Sequence, residues 1–77
     1  MRQVENIFEE APSNGEFYMY NPSMRVAFRT IVLNNILSEV FCKSEGSNEQ
    51  ELSSTDDDYK RTFGYGILMT KKEYEAL

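Results

Sequence analysis

The stretch that decides the fold is residues 21–43: Asn21-Pro22-Ser23-Met24-Arg25-Val26-Ala27-Phe28-Arg29-Thr30-Ile31-Val32-Leu33-Asn34-Asn35-Ile36-Leu37-Ser38-Glu39-Val40-Phe41-Cys42-Lys43. It opens on a cap residue followed by proline, the favoured start of a helix. At helical spacing Val26, Thr30, Leu33, Leu37 and Val40 share one seam. Met24, Phe28, Ile31, Asn35, Ser38 and Cys42 share the opposite one. The spacing predicts one long central helix from Pro22 to about Cys42 or Lys43, apolar on nearly two sides.

Two apolar sides need two covers. A small sheet supplies one, and the N-terminal segment or a second subunit must supply the other. Val26, Leu33, Leu37 and Val40 are therefore the candidate self-association seam of a homodimer. Arg25, Arg29 and Lys43 flank the apolar faces, with Glu39 or a neighbour as the expected ion-pair partner. Cys42 is expected to be a buried, unreactive thiol.

Upstream, Ala11-Pro12-Ser13-Asn14-Gly15 carries turn chemistry, and the aromatic run Glu16–Tyr20 reads as a strand. Residues 2–10 fit either a short helix or a strand. Downstream, residues 44–58 are poor in apolar side chains and are expected to form a mobile acidic loop. Residues 62–69 read as a strand with two glycines. Thr70-Lys71-Lys72-Glu73 has the form of a capping box opening a short C-terminal helix. The expected fold is a single α+β domain over residues 1–77. In it a small antiparallel or mixed sheet, from residues 16–20 and 62–69 and extendable by residues 3–8, packs on the central helix.

Composition narrows the chemistry. The chain has 77 residues, no histidine, no tryptophan and one cysteine. That leaves no Ser-His or Cys-His pair, no zinc site of the usual N/S type and no intrachain disulfide. No metal or other cofactor is expected, and an enzyme is not expected. The polar start Met1–Asn6 lacks the apolar core of a secretory signal, and no apolar run approaches a membrane span. A soluble, cytoplasmic protein is the expectation.

The net charge is −5, and it is uneven: residues 43–58 alone carry Lys43 against Glu45, Glu49, Glu51, Asp56, Asp57 and Asp58. These six carboxylates are the candidate surface for a partner protein with a basic face. Tyr18, Tyr20, Phe63 and Tyr65 are the candidate aromatic interface residues. Arg61, Phe63, Gly64 and Tyr65 resemble the first ribonucleoprotein motif of RNA-recognition domains, from which Thr62, Gly66 and Leu68 depart. The resemblance implies a strand on which Phe63 and Tyr65 stack bases. The negative charge opposes phosphate binding.

The expected function is that of a small acidic binding or inhibitor protein. It would occlude a basic or nucleic-acid-binding surface of a partner, in the manner of antitoxins, immunity proteins and phage-encoded inhibitors of host machinery. A homodimeric assembly subunit and a nucleic-acid platform are the alternatives.

Overall fold

Residues 21–43 do not form a helix: after a turn at 22–25 the chain forms a β-hairpin over 26–44. The computed structural model describes all 77 residues. Its elements are α1 (Ile7–Glu10), β1 (Gly15–Asn21), β2 (Val26–Leu33), β3 (Ile36–Ser44), β4 (Gln50–Leu52), α2 (Asp57–Tyr65), β5 (Ile67–Met69) and α3 (Lys71–Glu75). The fold is α+β, with one antiparallel sheet in the order β4-β3-β2-β1-β5.

Local chemistry explains the correction. Asn21 does cap, but it caps a single turn. Its side-chain oxygen accepts from the Ser23 N–H at 3.0 Å and the Met24 N–H at 3.2 Å. Arg25 then takes φ +57°, and the chain reverses into β2. The decisive residues are Asn34 and Asn35, at φ +52° and +65°. Two successive left-handed residues make a tight hairpin turn and cannot continue a right-handed helix. The turn is tied to the start of β1: the Asn34 N–H donates to Asn14 Oδ1 and the Asn35 N–H to the Ser13 carbonyl, each at 2.9 Å.

Val26, Phe28, Thr30, Ile31, Val32, Ile36, Val40 and Phe41 are β-branched or aromatic, the types that suit a pleated surface. The apolar seams read at helical spacing have another cause. Both faces of this sheet are covered in part, so both phases of a strand carry apolar side chains.

On one face Phe17 and Met19 of β1, Phe28 and Val32 of β2 and Val40 of β3 pack against Ile7 of α1 and against Tyr59 and Phe63 of α2. On the other, Tyr18, Ala27 and Met69 pack against Tyr74 of α3. Both edge strands are three residues long. The free side of β5 is met by Arg2, whose N–H and C=O bond Leu68 at 2.9 Å each, while the segment further on turns into α1. Residues 2–10 thus supply a bridge and a helical turn.

The stretch 62–69 is also corrected. It is helical to Tyr65, and only Ile67–Met69 is strand. Gly66 separates the two because a side chain does not fit there. A Cβ would stand 2.5 Å from the Thr62 carbonyl oxygen and 3.0 Å from that of Tyr20. Nor are residues 44–58 one loop, since they contain β4 and the cap of α2. The C-terminal capping box forms as its sequence predicts: Glu73 N–H to Thr70 Oγ1 at 3.2 Å, and Thr70 N–H to Glu73 Oε1 at 2.9 Å. No helix is long and apolar enough to cross a membrane.

Candidate functional site

The fold gives the acidic residues different tasks. Glu45 sits in the β3–β4 turn, exposed, where Gly46 supplies the left-handed residue at φ +77°. Glu51 is exposed on β4, opposite Phe41 of β3. Asp56 is the N-cap of α2, its Oδ1 accepting from the Tyr59 N–H at 3.0 Å. Asp57 and Asp58 occupy the first turn of that helix, where negative charge complements the backbone dipole. Their only ion pair is a loose one, Asp58 to Arg61 at 3.9 Å on the surface.

Glu49 is different, because it is consumed internally. It and Glu16 clasp Arg29 from opposite sides on the α3 face of the sheet. Arg29 Nε and Nη2 reach the two Glu49 oxygens at 3.1 and 2.8 Å, a bidentate pair, and Nη1 reaches Glu16 Oε1 at 2.5 Å. The guanidinium lies over the Phe41 ring, 4.3 Å from its centroid. The Tyr74 hydroxyl donates to Glu49 Oε2 and the Tyr18 hydroxyl to Glu16 Oε2, each at 2.6 Å. Lys43 caps the end of α3 through the Tyr74 carbonyl at 3.3 Å. The clasp therefore joins the β3–β4 turn and α3 to the middle of the sheet.

Every charge in this clasp is stabilised as it stands. The Arg29 guanidinium holds Glu49 below the ordinary carboxylate range. The Tyr18 hydroxyl, and then Arg29, do the same for Glu16. Burial, with the adjacent carboxylates, pushes Tyr18 up to about 12 and raises Tyr74 as well. None of these four titrates near neutral pH, where general acid–base chemistry needs its groups poised. The network acts as a strut at that pH.

A second feature lies on the opposite face, at the β4 edge. Between the β1–β2 turn, β2, β3, β4 and the start of α2 is an open cleft of about 160 Å³. Its walls are Met24, Val26, Phe28, Cys42 and Leu52, and Asp56 and Asp58 stand among them. Cys42 is half-buried, and burial, then Asp56 and Glu49, raises its thiol above the usual range. It therefore lines the cleft as a neutral thiol. No group of three or more His, Cys, Asp or Glu side chains is gathered as a metal site would need.

The remaining sequence candidates are scattered. Without the helix, the proposed self-association seam does not exist as a stripe. Val40 lies in the core, Val26 and Leu37 pack against it, and Leu33 is exposed on the hairpin tip. Phe63 and Tyr65 are on α2, so they do not occupy alternate strand positions. Phe63 is core, and Tyr65 is exposed with its hydroxyl 3.4 Å from Asn21 Nδ2. Tyr18 is buried and Tyr20 half-buried.

Sequence reasoning missed the Arg29 clasp, because on a helix Arg29 and Glu16 have no fixed relation. The signal was present in the alternation of Glu16, Tyr18 and Tyr20 on one face of β1, which pairs Tyr18 with Arg29 once β2 is a strand. Comparison with protein-family models, with curated proteins and with solved structures finds no match to the chain.

Proposed function

We propose that the chain is a small acidic binding protein that acts by occluding a basic surface of a partner protein, without chemistry of its own. One observation carries the reading: Glu45 in the β3–β4 turn, Glu51 on β4 and Asp57 at the start of α2 are exposed and have no ion-pair partner, whereas Glu49 is tied down by Arg29. The clasp makes the β3–β4 turn part of the framework, so presenting its carboxylates costs less ordering entropy on binding. The chain's charge of −5 steers a cationic surface toward it.

The test is capture of a partner from native lysate on tagged protein, with nuclease present. A stoichiometric protein should be retained at about 0.01 M salt and released toward about 1 M, as the Debye length falls from about 30 to about 3 Å. It should also be lost from the triple variant Glu45→Gln, Glu51→Gln, Asp57→Asn. A partner held equally by that variant at high salt, or one that disappears with nuclease, ends the proposal.

One observation favours self-association as a second reading. Leu33 and Ile36 face each other at the hairpin tip, 52% and 66% exposed. That reading expects a native mass of twice 9.0 kDa, falling to the monomer in Leu33→Asp. A monomeric parent removes it.

A further inference from the structure

The cleft beneath the β4 edge has a composition unlike the carboxylate surface around it. Met24, Phe28, Cys42 and Leu52 supply an apolar wall, and Asp56 and Asp58 supply negative charge within the same depression. Both carboxylates have acceptor capacity to spare. Asp56 uses Oδ1 for the Tyr59 N–H, and its Oδ2 accepts nothing. The Asp58 carboxylate accepts no hydrogen bond, since Thr62 bonds its backbone oxygen and Arg61 stays 3.9 Å away. The cleft is open to solvent and small, about 160 Å³, the scale of one side chain rather than a helix.

An occupant must be apolar along its length and cationic at its tip. Among protein side chains, lysine and arginine have that form: a hydrocarbon stem that packs on apolar surface and a charged head that stays at the rim. We propose that this cleft receives the side chain of one lysine or arginine of the basic partner, the stem lying against Met24 and Leu52 and the cation meeting Asp58 and the free oxygen of Asp56. The inference rests on the occluding function proposed above and adds to it an anchor point. Charge along the edge attracts the partner, and the cleft fixes its register. A lone aliphatic residue would leave the two carboxylates desolvated and unpaired, so the cleft selects against it.

The probe is oligolysine, compared with an oligomer of diaminobutyrate that carries the same charges on a stem two methylenes shorter. The readout is NMR of the Met24 and Leu52 methyl groups together with the backbone amides of Glu45, Glu51 and Asp57. Met19 and Met69, both buried, serve as internal references. Oligolysine should move the Met24 and Leu52 methyls with the same midpoint as the amides, while the short-stemmed oligomer should move the amides alone. Asp58→Asn, which keeps the size of the side chain, should weaken oligolysine binding about fivefold and shrink the methyl shifts. If oligolysine moves the amides and leaves both methyls still, the anchor is wrong and the occluding function survives. If neither oligomer binds at low salt, both fall.

Discussion

Tyr59→Ala should remove about 4 kcal/mol of stability, the largest loss expected from any single truncation of this chain. Tyr59 is the largest fully buried side chain. Its ring meets Phe28 edge-on at 5.5 Å and Phe63 at 5.1 Å, and its hydroxyl pairs with Thr30 Oγ1 at 2.7 Å. Truncation leaves a cavity between α2 and the centre of the sheet and strands the Thr30 hydroxyl in it. A domain of this length has about 4–12 kcal/mol in total, so the loss takes about a third of it or more. Tyr59→Phe separates the two terms. It keeps the packing and loses one hydrogen bond, at about 1 kcal/mol, or roughly 4–8 °C in Tm. Urea unfolding followed by circular dichroism measures both. A loss under about 1 kcal/mol in Tyr59→Ala would mean that α2 is not seated on this sheet as described.

Segments with one local solution were legible in the sequence. The turn at residues 11–15, the strand after it and the capping box at Thr70 are each specified by side chains within a few positions of one another. The α+β class holds although the helix and the second strand expected with it, over residues 22–43 and 62–69, are respectively a hairpin and largely a helix. Residues 21–43 were ambiguous for a physical reason. The Asn21-Pro22 pair starts a helix and caps a turn with the same hydrogen bonds, and only residues further along the chain distinguish the two outcomes. Here those residues are Asn34 and Asn35. Asparagine is a weaker hairpin signal than a glycine-containing pair, because its left-handed conformation is tolerated rather than free. Once those two residues turn, the period becomes two, and Arg29 is carried from the flank of a helix to the middle of a sheet.

The same turn explains why the site was half visible. The carboxylates of residues 45–58 read as one population, and composition cannot divide them. Pairing does. Glu49 lies in the turn between β3 and β4, whose register brings it to Arg29, whereas Glu45 and Glu51 on either side face solvent. The apolar cleft was invisible for a similar reason: its wall draws one residue from the β1–β2 turn, two from β2, and one each from β3 and β4. Such a surface exists only after the strands have found their order.

Arg29→Ala should cost about 2 kcal/mol at neutral pH and lower Tm by roughly 8–16 °C. The side chain is 23% exposed, so part of its attraction to Glu16 and Glu49 is screened, and the value lies below that of a fully buried pair. The loss has two parts. The bidentate and single contacts vanish, and Glu16 and Glu49 are left facing the same space with only the Tyr18 and Tyr74 hydroxyls to hold them. Arg29→Lys should recover less than half, since an ammonium cannot match the bidentate geometry.

The pH dependence identifies the cause. Both carboxylates have folded-state pKa values below their ordinary 4.5. The stability they contribute is complete above that value and is lost as pH falls through the lower folded values. The gap between parent and Arg29→Ala should therefore be widest near pH 7 and narrow below about pH 4.5. On the alkaline side Tyr18, raised from 10.0 to about 12, stabilises the fold while protonated, and that contribution should fade between those two values. Thermal unfolding of parent and variant from pH 3 to 8 is the measurement on the acid side. A gap constant across that range would mean that Arg29 acts through packing on Phe41 alone, and that the acidic turn is not held by the clasp.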